Sequence, residues 1–207
     1  MNAISNAILS VAEIINQSNP VRSSRPVAFL LVCSALALPA PGIGQSVDES
    51  QVKAAYLYNF IKFVEWPPAL FPNPDEPFVI CVLGDEHTSD VLEQSIQNKK
   101  ANGRSIRMRR PHSTQDFKSC HVLFLGFSDR DRTAKVLHEL RGSSVLTVGQ
   151  SEGFLPLGGM INMVRHDRTI ELEIDPDIPN MVGLKVSSRL LVVAHIVKIK
   201  RETEAEK

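Results

Sequence analysis

The sequence carries little sulfur, little aromatic surface and no charge imbalance. Three cysteines, one tryptophan and two tyrosines stand among 207 residues, and aromatics make up 6%. Lys+Arg and Asp+Glu each number 23, so no net charge pulls the chain toward nucleic acid or anionic membrane. Scarce aromatics with no arginine interleaved also argue against a nucleic-acid surface. The six histidines show neither H-E-x-x-H nor H-x₃-H spacing, and no G-x-S-x-G supplies a nucleophile. What remains is 43% hydrophobic and 22% charged, the composition of one ordinary globular domain.

The N-terminal segment is set apart from that domain. Arg22 and Arg25 precede an apolar run of twelve residues, VAFLLVCSALAL at 27–38, followed by Pro39, Pro41, Gly42 and Gly44. A positive flank, a short apolar core and a small-residue exit make a secretory signal peptide, whereas a membrane span needs about 20 apolar residues. Residues 1–44 are therefore read as leader with an extended N-terminal region, and Gly44 as the last residue before cleavage. A lipoprotein reading at Cys33 is weak because Val32 is bulky. Initiation near Val21 would give a leader of usual length, which N-terminal mass spectrometry of the precursor checks. Residues 45–200 form the single domain and 201–207 (RETEAEK) a frayed charged tail.

Export leaves two cysteines, Cys81 and Cys120. An even pair in an oxidising compartment reads first as a disulfide. Two separate buried thiols, or a reactive site, are the alternatives on the residues alone.

Residues 52–66 (VKAAYLYNFIKFVEW) predict a helix stopped by Pro67-Pro68. Its apolar arc, which includes Tyr56, Phe60 and Phe63, spans roughly 180°, more than one-sided packing needs. Tyr56, Phe60, Phe63 and neighbouring Trp66 are accordingly assigned to dimer or partner contact. Apolar strands are expected at 78–83, 121–126 and 145–148, an edge strand at 106–110, and helices at 88–100 and 132–140. Such alternation indicates βαβ units and a parallel sheet. Segments 160–164 and 169–175 then predict an antiparallel hairpin, with Glu171, Glu173 and Asp175 facing water, and 184–199 a final helix. The fold class is thus α/β: a mostly parallel central sheet with helices on both faces, plus a C-terminal antiparallel hairpin and final helix.

Tempting motifs weaken under inspection. LGDEH at 83–87 lacks G-x-G-x-x-G, and Asp85 and Glu86 would repel a phosphate, so the turn reads as a helix cap. The glycine spacing of 153–159 lacks the Lys and Ser/Thr of a P-loop. Lys185 and Arg189, four apart in the expected last helix, offer a cationic face for a carboxylate on a ligand or partner. No catalytic constellation, metal site or cofactor motif emerges, so the chain is read as a non-enzyme.

Taken together, KAAYLYNFIKFVEWP (53–67), FVICVLG (78–84), NGRSIRMR (102–109), CHVLFLG (120–126), VLTVGQSEGF (145–154), GGMINMV (158–164) and LKVSSRLL (184–191) resemble the YfiR family of exported bacterial proteins. The resemblance implies a dimeric periplasmic α/β repressor. Its target would be the periplasmic domain of an inner-membrane diguanylate cyclase, and an OmpA-like outer-membrane lipoprotein would sequester it. Repression would lower cyclic-di-GMP, exopolysaccharide and biofilm. The resemblance also implies a bridge between Cys81 and Cys120, while a second family bridge has no counterpart here. The rival reading is a periplasmic small-molecule-binding sensor, with Lys185 or Arg189 holding an acid.

Overall fold

The computed structural model describes residues 48–167 and 169–199. The leader expected over 1–44 and the charged tail expected over 201–207 lie outside the described residues.

The first helix, α1 (Glu49–Phe63), starts where Asp48 accepts the Ser50 N–H at 3.1 Å. Glu49 in its first turn and Lys62 in its last complement the helix dipole. It ends earlier than the sequence suggests, because β-branched Val64 turns extended and opens β1 (Val64–Glu65). The parallel centre follows: β2 (Phe78–Leu83), α2 (Glu86–Ile96), β3 (Lys100–Ala101), β4 (Arg104–Arg109), α3 (Thr114–Phe117), β5 (Val122–Leu125), α4 (Arg130–Glu139) and β6 (Leu146–Gly149). The C-terminal part comprises β7 (Ile161–His166), β8 (Thr169–Ile174), α5 (Asp177–Met181), β9 (Lys185–Val186), α6 (Ser188–Val192) and β10 (His195–Ile196).

Eight strands among the described residues form one sheet in the order β10-β8-β7-β6-β5-β2-β4-β3. Pairs β4–β2, β2–β5, β5–β6, β6–β7 and β8–β10 are parallel, whereas β7–β8 and β3–β4 are antiparallel. Alternation along β2 feeds two cores, because successive side chains point to opposite faces. Phe78, Ile80 and Val82 join Leu57, Phe60 and Ile61 of α1 and Leu92 of α2. Val79 and Cys81 join Phe117, Val136 and Leu137 on the other face. The mostly parallel sheet with helices on both faces is the observed architecture, and the C-terminal hairpin is there.

Three local expectations change. Strand β4 is not the edge, because Asn102 (φ 51°) and Gly103 (φ 81°) make a two-residue hairpin that adds β3 outside it. Asn-Gly is the sequence that such turns favour. The final helix over 184–199 is broken into β9, α6 and β10. Gly183 takes φ 78°, Ser187 restarts a helix by accepting the Leu190 N–H, and β-branched Ile196 and Val197 favour extension. Asp175 does not face water but is fully buried, where it accepts the Asp177 N–H at 3.0 Å.

Candidate functional site

Open α/β sheets bind ligands at the carboxyl ends of their strands, above all where strand order reverses. Here that reversal lies between β2 and β5, and protein atoms fill it. Gly84 has φ 83°, and a Cβ there would stand 2.7 Å from the Phe127 ring, which covers the turn. Asp85 closes the N-terminus of α2: its carboxylate accepts the Thr88 N–H at 2.9 Å and the Thr88 hydroxyl at 2.8 Å. FVICVLGDE is therefore a core strand and a capped helix start, with no room for a phosphate.

A cleft opens beside the blocked crevice, where the first turns of α1 lie over the ends of β6 and β7. Its volume is about 230 Å³, and Glu49, Lys53, Gln150, Met163, Arg165 and Ile170 line it. Lys53 is only 7% exposed, rare for lysine unless paired. Its ammonium meets the Glu49 carboxylate at 2.7 Å and that of Asp85 at 3.6 Å. The second oxygen of Glu49 receives the Arg165 guanidinium at 2.9 Å, so one carboxylate bridges two cations. Gln150 donates its amide to the Gly126 carbonyl at 2.7 Å. At the outer rim His87 meets Asp48 at 2.8 Å; that bond, then the one from the Ser50 N–H, holds the Asp48 carboxyl below its usual range.

A second constellation surrounds His121, next to the disulfide. The Val79 N–H donates to His121 Nδ1 at 3.1 Å, and the His121 N–H donates to the Val79 carbonyl at 2.9 Å. A donor at Nδ1 leaves the neutral ring's proton on Nε2. Phe71 stacks on the imidazole with centroids 4.7 Å apart, and Phe78 and Trp66 meet it edge-on. Arg104 lies over Phe71 at 4.4 Å and ties down the loop by donating to the carbonyls of Asn73, Pro74 and Glu76. Burial pushes the His121 pKa down to about 4; Glu76 pulls it up and Arg104 pushes it further down.

Cys81 and Cys120 are joined in a disulfide, with Cα atoms 5.9 Å apart. Of the residues assigned to partner contact, Phe60 is fully buried in the chain's own core and Trp66 is buried with its indole bonded to His121. Both are thereby removed from the exposed surface; Tyr56 and Phe63 stay half-buried. The wide arc of α1 is explained within one chain, because it packs on both the sheet and α2. Lys185 and Arg189 do not share a helix face: Lys185 lies in β9 opposite Glu65 of β1, and Arg189 in α6. Both are exposed. Glu171 and Glu173 pair with His195 and Asn162 respectively. Among the described residues, no three His, Cys, Asp or Glu side chains gather as a metal site would require.

Sequence reasoning missed Lys53, Glu49 and Arg165, because nothing in their spacing signals that α1 and β7 meet. It also missed exposed Val192 (83%) and Val193 (55%) at the end of α6 and Ile196 (45%) on β10, the outermost strand among the described residues. A β-branched run in a segment read as helix was the available signal.

A doubly wound α/β domain, stapled at its centre and carrying a small charged cleft, is the frame into which the comparisons fit. A model described as YfiR/HmsC-like matches residues 50–195, and the chain belongs to that family. The family is regulatory rather than catalytic, and membership supports a periplasmic regulator of cyclic-di-GMP signalling. A solved ABC domain in complex with L-Trp from Streptococcus pneumonia is similar at a TM-score of 0.46 and 12% identity, over 72% of this chain. The chain spans 60% of that protein's length.

Proposed function

We infer that this chain is exported through residues 1–44 and represses an inner-membrane diguanylate cyclase by binding its periplasmic domain. Family membership across 50–195 carries the reading. The mechanism is linkage: a protein that binds the inactive state of the cyclase more tightly shifts the equilibrium by that difference in affinity. An OmpA-like outer-membrane lipoprotein competes for the same repressor, and the working form is a homodimer. Lower cyclic-di-GMP then means less exopolysaccharide and biofilm. A surface suited to such contact exists near the C-terminus, where Val192 and Val193 at the end of α6 and Ile196 on β10 expose apolar area, β10 being the outermost strand of the sheet among the described residues. Affinity purification of the tagged protein from detergent-solubilised membranes tests the pairing. Recovery of a diguanylate cyclase supports it, and recovery of none contradicts it.

A sensor of small molecules is the second reading, and the cleft at Lys53 and Arg165 favours it. The two readings are compatible, since a ligand could alter the repressor's affinity for its target.

A further inference from the structure

The cleft at the head of α1 combines features that a purely structural ion pair does not need. Lys53 has three N–H donors, and one of its two carboxylate contacts, Asp85 at 3.6 Å, is beyond hydrogen-bond reach. Asp85 is committed elsewhere, to the main chain and hydroxyl of Thr88. That leaves Glu49 as the acceptor shared by Lys53 and Arg165. Glu49 sits in the first turn of α1, 37% exposed, and the Arg165 it meets is 70% exposed. The Arg165 half of this arrangement is an exposed pair of small net worth, so an entering carboxylate displaces Glu49 at little cost as long as it takes over the contact to buried Lys53. Met163 and Ile170 provide an apolar wall, and at about 230 Å³ the space falls below the pockets of drug-sized ligands.

We propose that this cleft binds a small organic acid, whose carboxylate replaces that of Glu49 between Lys53 and Arg165 while its apolar body lies on Met163 and Ile170. The proposal rests on the sensing reading and moves the acid site from Lys185 and Arg189 to the carboxyl ends of β6 and β7. Glu49 acts as a built-in competitor: it holds the two cations together when no ligand is bound and sets the concentration at which one enters. Lys53 supplies the buried charge, and Arg165 supplies the planar fork that matches a carboxylate.

Sodium benzoate and uncharged benzyl alcohol form a matched pair of probes, titrated into the purified protein at constant ionic strength while backbone amides are followed by NMR. Benzoate should give saturable shifts at Gln150, Arg165 and Ile170, and benzyl alcohol should not. Arg165→Ala, a change at an exposed position that leaves the fold intact, should weaken benzoate about tenfold, as expected for loss of one charge-assisted contact. Glu49→Gln should strengthen it severalfold. Equal response to the alcohol, or unchanged affinity in Arg165→Ala, overturns the proposal. Saturable benzoate shifts mapping to Lys185 and Arg189 instead would keep a sensing protein and overturn this cleft as its site. No saturable shift anywhere overturns both.

Discussion

Trp66 donates its indole N–H to the main-chain carbonyl of His121 across 3.3 Å, fastening the loop after α1 to the residue that follows Cys120. The same histidine accepts the Val79 N–H and stacks on Phe71, so loop, disulfide and two central strands meet at one neutral ring.

That arrangement makes stability depend on pH in a stated direction. The His121 pKa falls from 6.5 to about 4 on folding. Above pH 6.5 both states are neutral and the contribution is whole. As pH drops from 6.5 toward 4 the unfolded chain takes up a proton that the fold refuses, and stability declines by up to roughly 3 kcal/mol before levelling off. Urea midpoints measured at pH 7 and 4.5 check this. His121→Phe should remove this contribution to the pH step and cost about 1–3 kcal/mol at pH 7, because the Val79 N–H loses its acceptor.

The disulfide spans 39 residues and both cysteines are buried. In the chain-entropy model a loop of that size contributes roughly 4 kcal/mol. Replacing Cys81 and Cys120 together by alanine should lower the unfolding free energy by about 2–4 kcal/mol. Mild reductant should leave the bond intact until urea opens the fold, which thiol alkylation and mass spectrometry would register.

Phe154 fills the space over two glycines. A Cβ on Gly149 or on Gly159 would collide with its ring, which is fully buried and cannot swing aside. Gly159→Ala should therefore destabilise by about 1–3 kcal/mol. Adding Phe154→Leu in the same chain should recover part of that loss, and thermal melts of the three variants would reveal the coupling.

These outcomes divide along the line between what local sequence encodes and what only tertiary structure decides. FVICVL and VLFL are legible as buried strands because parallel strands need apolar residues on both faces. The cap at Asp85 is legible because an acid opening a helix has a local reason to be there. Lys53 is different: its burial depends on Glu49 one turn away, Asp85 after β2 and Arg165 on β7. The i,i+4 spacing joins Glu49 to Lys53, but no spacing rule brings Asp85 and Arg165 to them. The segment 184–199 reads as one helix because apolar Leu, Val and Ile fit both periods, and only pairing with β8 selects extension for His195 and Ile196.

The exposed apolar side chains of Val192, Val193 and Ile196 bear on binding far more than on folding. Val192 is 83% exposed, so Val192→Glu should shift stability by no more than about 0.5 kcal/mol. If this surface meets the cyclase or a second copy, the same change should abolish co-purification or shift the oligomeric state. A melting temperature that stays put while binding is lost would separate the two effects.

Intracellular cyclic-di-GMP, measured by mass spectrometry in strains with and without the gene, tests repression most directly. Deletion should raise the nucleotide, and deleting the partner diguanylate cyclase as well should cancel that rise. An unchanged level after deletion would contradict the account.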